Sequence, residues 1–72
     1  MNTILNIYKA IQRNDNLILN ANNYSDYQLK KFASMTLHYQ GKMILKNSNN
    51  ISKLTLNYLS NISKKKIIFD FS

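Results

Sequence analysis

His38 is the only histidine in the sequence, and an imidazole is the side chain best suited to act as a general base near neutral pH. A working base needs an orienting group and a substrate within reach, and no carboxylate stands near His38 in the chain. It is therefore expected to be a solvated helix residue. The acids are Asp15, Asp26 and Asp70, with no glutamate. Three scattered aspartates make neither an oxygen cage for a cation nor an acid–base pair. Asp26 suits the first turn of a helix, where the dipole favours negative charge. Asp70 suits a strand, as a charge that discourages pairing with another chain. There is no cysteine, hence no thiolate metal site and no disulfide. Gly41 is the only glycine and cannot build a phosphate-cradling loop. The serines lie in no nucleophile motif. These residues predict a protein with no enzymatic activity, no cofactor and no metal.

Positive charge is what the sequence has in excess. Ten lysines and arginines against three aspartates give a formal net charge of +7. Asparagine, isoleucine, lysine and tyrosine are abundant, as in a coding sequence rich in A and T. Such a bias would supply glutamate as well, so codon usage alone does not make this imbalance. A surface this basic meets anionic partners: an acidic protein, nucleic acid or lipid headgroups. Lys30 and Lys31, with Lys64, Lys65 and Lys66, could form a footprint for phosphates. The run at Lys64 also fits a solvated cap, because cations are favoured at a helix C-terminus. Tyrosines can stack on unpaired bases, but Tyr8, Tyr27 and Tyr58 are read as packing at the edge of a core. No aromatic strand motif of the RNA-recognition type is present. Nucleic-acid binding is thus the alternative reading, and it rests on charge.

No apolar run approaches the ~18 residues that span a bilayer. The opening "MNTILNIYKAIQRN" is interrupted by Lys9 and followed by no small-residue cleavage pattern, so it is not read as a signal peptide. As an amphipathic helix it could lie on a membrane with Lys9 and Arg13 outward, but it lacks Trp and Phe anchors. Membrane attachment is not expected, and without cysteine a reducing, cytoplasmic setting is.

The elements that would position these residues fit one small domain, residues 1–72, close to the lower size limit for a single core. Ile4, Ile7, Tyr8 and Ile11 recur at helical spacing and predict a helix over 3–13, capped by Asn2 or Thr3 and ended by the turn "NDN". "LILN" from Leu17 reads as a buried strand. Ser25 opens "SDYQ", a capping box with Gln28, and the helix it starts places Leu29, Phe32, Ala33 and Thr36 on one face. Gly41 would end that helix in a left-handed conformation. The unit over 17–41 is then written again over 43–66. Met43-Ile44-Leu45 matches Leu17-Ile18-Leu19, Ser52 matches Ser25, and Leu56, Leu59 and Ile62 match Leu29, Phe32 and Met35. One extra asparagine near Asn50 accounts for the change of offset, and Lys64, Lys65 and Lys66 close the second helix. A terminal strand over 67–72 follows.

The stretches "LILNANNYSDYQLKKFA", "MILKNSNNISKLTLNYLS" and "IIFDFS" resemble, over residues 17–72, the helical, ribonuclease-inhibitor-like form of the leucine-rich repeats. The resemblance implies stacked strand-and-helix units sharing one core, at a period of about 26 residues, within that family's range. A generic β-α-β-α-β domain is the other reading. Both give an α/β fold: an N-terminal helix, then three short parallel strands interleaved with two helices.

Alternation then points Leu17, Leu19, Met43, Leu45, Ile67, Phe69 and Phe71 toward the helices. Ile18, Ile44 and Ile68 fall in a row on the other face, beside Asn20, Lys46 and Asp70. That row is either an apolar anchor for a protein partner or core beneath the N-terminal helix. The first alternative predicts a non-catalytic binding protein, an inhibitor or adaptor, with Ile18, Ile44, Ile68 and Lys46 meeting a partner of acidic surface. Phe69 and Phe71 on the last strand would support a homodimer through an unpaired edge.

Overall fold

In the computed structural model, which describes residues 3–71, the isoleucine spacing makes helix α1 (Thr3–Gln12). Asn2, one of the expected caps, lies outside the described residues, and Thr3 is the first helical residue. The helix buries Ile7, Ala10 and Ile11. It ends where Asn14 takes a left-handed backbone (φ 62°), with the N–H of Asp15 donating to the Ala10 carbonyl at 3.0 Å.

Strand β1 (Leu17–Asn20) runs into a 3₁₀ turn, Ala21–Asn23, and then helix α2 (Asp26–His38). Strand β2 (Met43–Lys46), the turn Ser48–Asn50 and helix α3 (Lys53–Ile62) follow in the same order, and strand β3 (Ile67–Phe69) comes last. Ser25 caps α2 as its pattern predicts. Its hydroxyl accepts from the Gln28 N–H at 3.1 Å, and its own N–H donates to the Gln28 side chain at 2.8 Å. Ser52 caps α3 from the matching position, accepting from the Thr55 N–H.

The strands form one parallel sheet in the order β1-β2-β3. Leu17 pairs with Met43 and Met43 with Ile67; Ile18, Ile44 and Ile68 share the next level. Helices α1, α2 and α3 lie side by side, α2 in the middle. One core fills the space between the two layers: Leu19, Met43, Leu45 and Ile67 from the sheet meet Ile7, Ile11, Leu29, Phe32 and Leu59 from the helices. Phe32 is fully buried, with the rings of Tyr8 and Tyr24 edge-on to it at 5.8 and 5.2 Å.

Several local expectations are corrected. Gly41 is not the left-handed residue after α2; Gln40 is (φ 62°). The N–H of Gly41 donates to Thr36 at 2.9 Å and that of Gln40 to Leu37 at 3.1 Å, a Schellman closure that needs the left-handed turn one residue earlier. The extra residue of the second unit is taken up at Asn47 rather than near Asn50. Asn47 adopts φ 58°, a region asparagine enters at little cost. The lysine run lies outside α3, which ends at Ile62. Lys64 and Lys65 both take left-handed backbone (φ 48° and 66°) in the turn to β3. That last strand stops at Phe69, so Phe71 does not join Ile67 and Phe69 on the inner face and is 53% exposed. Tyr27 and Tyr58 are exposed rather than at the core edge, while Tyr8 is half-buried against Phe32.

Candidate functional site

The chemistry-bearing side chains are dispersed. His38 is an exposed residue at the end of α2, with its ring edge-on to Tyr39 at 4.9 Å. Asp15 pairs with Arg13 at 2.7 Å, and Asp26 accepts from the Ser52 hydroxyl at 2.9 Å. Among the described residues no group of three or more His, Cys, Asp or Glu side chains could hold a metal ion. No helix among them is long and apolar enough to cross a membrane.

The sheet positions the most distinctive surface. The core lies on one face only, because the helices all pack against the inward side chains of the strands. The other face carries Ile18, Ile44 and Ile68 at one level of the register. Ile18 is 64% exposed, Ile68 51% exposed and Ile44 half-buried between them. Helix α1 does not fold over this row; it packs beside α2, on the opposite layer. One level toward the C-terminal ends of the strands stand Asn20, Lys46 and Asp70. The Lys46 ammonium lies 3.6 Å from the Asp70 carboxylate. Toward the other end, Asn16 and Lys42 line a recess of about 210 Å³ together with Leu17, Met43 and the three isoleucines.

Along β2, Lys42 places a positive charge beside the recess, while Lys46, on the other side of the row, is paired with Asp70. Lys42 and Asn16 were not among the residues picked out from the sequence. The signal was available: they extend the even-numbered alternation of β2 and β1 by one step beyond each strand.

The lysines proposed as a phosphate footprint are divided among separate places. The Lys30 ammonium lies 5.1 Å from the centroid of the Tyr58 ring, between α2 and α3. Lys31 lines a groove on the other side of α2 with Tyr8, Met35 and His38. Lys64 and Lys66 line a third groove, where α2 and α3 end. Along α2, Lys30 and that groove's Leu37 are separated by seven residues, about 10 Å of rise. Lys65 is exposed in the turn and lines none of these grooves. Phe69 is half-buried and stacks at 6.5 Å on the exposed Phe71, beside the outer edge of β3.

The turns after β1 and β2 are joined side chain to side chain. The Asn20 carbonyl oxygen accepts from its own turn, at the Asn22 N–H, and from the Asn47 amide, both at 2.9 Å. The Asn50 amide donates to Asn22 at 2.8 Å. On this rim the N–H of Ser48 also donates to the Asp70 carbonyl at 2.9 Å.

Compared with protein-family models, with curated proteins and with solved structures, the chain has no match in any of the three.

Proposed function

We propose that this chain is a non-catalytic binding protein that docks the open face of its sheet on a protein partner. The exposed isoleucine row carries the reading. Parallel sheets are ordinarily covered on both faces, and here Ile18 and Ile68 stand uncovered. The partner's complement is apolar surface for the recess beside Ile44, flanked by a carboxylate for Lys42; Lys46, already paired with Asp70, forms part of the polar rim. A second copy of the chain is a poorer fit to this face, since it would bring the same lysines against the same rim. Such a protein acts by occupying a surface, as an inhibitor or adaptor does. In this reading the two strand-turn-helix units are a short repeat array similar to leucine-rich repeats. The equal strand register and the bonds from Asn47 and Asn50 back to Asn20 and Asn22 support it. Self-association through the β3 edge, with Phe69 and Phe71 beside it, is a further part of the proposal.

A photo-crosslinking residue at position 18, compared with one at the still more exposed Leu54 on the helical layer, tests the docking face. In extract of the source cells, position 18 should give a discrete protein adduct that Ile44→Ser removes and position 54 does not give. Equal adducts from both positions would refute the reading. So would binding of labelled nucleic acid that persists from ~50 to ~200 mM salt, a range over which phosphate-driven binding falls steeply; that result would move the site to the lysines.

A further inference from the structure

A second site lies away from the sheet's open face, where α2 and α3 end side by side. The groove there measures about 530 Å³. It is lined by the apolar residues Leu37 and Ile62, the amide residues Gln40 and Asn61, and the cationic residues Lys64 and Lys66. We infer that this groove binds a single-chain fatty carboxylate, its tail on Leu37 and Ile62 and its head between the two lysines.

The backbone supplies an independent observation. Lys64 and Lys65 are consecutive residues with left-handed φ, and an L-residue pays about 1–2 kcal/mol to stand there. A glycine would remove that strain, yet position 64 holds a long cationic side chain, and the residue lines the groove. The turn takes that strain in bringing Lys66 alongside Met43, and it leaves both Lys64 and Lys66 lining the groove. On the other wall, Gln40 is likewise a left-handed residue bearing a polar side chain.

Charge selects the head group. Two lysines contribute two positive charges, and each of the two helix C-termini contributes roughly half a negative charge. The balance is close to one positive charge, which one carboxylate neutralises and a phosphate monoester overshoots. The apolar floor excludes a bare anion as the preferred ligand, because it would leave Leu37 and Ile62 in water. A neutral alcohol with the same tail would leave the lysines without a partner.

The test is an NMR titration of the ¹⁵N-labelled chain with octanoate, kept below its micelle concentration, against acetate, 1-octanol and octyl phosphate. Octanoate should shift the amides of Leu37, Gln40, Ile62 and Lys64. It should bind at least tenfold more tightly than acetate, which lacks six of its methylenes, and about tenfold more tightly than octanol, which lacks the charge. Changing Lys64→Gln with Lys66→Gln should weaken octanoate about tenfold. Lys53→Gln, at the far end of α3, should leave it unchanged. Octanol or acetate binding as well as octanoate would overturn the assignment, as would shifts confined to the strands. Octyl phosphate binding more tightly would reassign the site to phosphate monoesters. These ligand comparisons use the unaltered chain and decide the matter even where the double variant fails to fold.

Discussion

Replacing Ile18 or Ile68 with serine should cost this protein little stability, although both lie in the sheet. Full burial of an isoleucine contributes about 1.5–3 kcal/mol. Ile18 keeps 64% of its surface in water and Ile68 51%, so each substitution forfeits only about a third to a half of that, roughly 0.5–1.5 kcal/mol. The weaker strand preference of serine adds less than about 1 kcal/mol. Leu45 sits at the same depth in the sheet on the other face and is fully buried. Leu45→Ala removes apolar contact and leaves a cavity, for a loss of about 2–5 kcal/mol. A chain of 72 residues has a total stability of about 4–11 kcal/mol, so the two outcomes separate clearly. Urea unfolding followed by far-ultraviolet circular dichroism reads both, at constant m-value. Ile44→Ser, half-buried, should fall between them. If Ile18→Ser destabilises as much as Leu45→Ala, the isoleucine row is core, and the docking face does not exist.

Five other substitutions probe the remaining features. Gln40→Gly should raise stability by about 1 kcal/mol by relieving a left-handed residue, whereas Gly41→Ala should be nearly neutral. An added Cβ at 41 meets its nearest neighbour at 3.7 Å and the residue has no positive φ; thermal melting distinguishes the pair, and a reversed order would contradict the turn described. Thr36→Val should stabilise by about 1 kcal/mol, since the Thr36 hydroxyl is buried without a hydrogen-bond partner among the described residues. A lower melting temperature would mean the hydroxyl has a partner. Asn47→Ala should cost about 1–2 kcal/mol, losing the bond to Asn20 and straining a left-handed position; an unchanged urea midpoint would show the inter-turn bond to be idle. Phe71→Lys should abolish any concentration-dependent dimer in sedimentation while leaving the monomer folded, as expected for a side chain 53% exposed; a dimer that survives it does not use this edge.

The elements were legible in the sequence because apolar alternation and helical spacing agree with local capping chemistry. Ser25 with Gln28 fixes where α2 begins, and the matching triplets at Leu17, Met43 and Ile67 fix the register. The turns were not legible in the same way. Gly41 drew attention as the residue with no steric objection to a left-handed backbone, but the hydrogen bonds that close α2 place that conformation at Gln40. Likewise the lysine run looked like the end of a helix and is a turn, because its conformation is set by the need to bring Lys66 alongside Met43. Alternation could place the isoleucine row on one face, but which layer α1 joins depends on packing between distant residues. Nothing in a 3.6-residue period records it. Alternation carried one step further would have placed Lys42 and Asn16 on the isoleucine face, but the groove at Lys64 is a product of two helix ends and a turn and has no signature in any one segment.

Each strand of the sheet lies next to the strand that follows it in the chain. During synthesis from the N-terminus, β1 therefore waits for only one crossover before its partner arrives, and β2 waits for the same. No hydrogen-bonded pair requires a segment made much earlier to be held open for one made much later. The entropy of closing each loop is thus spent in two similar steps, and the outer edges of β1 and β3 stay open throughout.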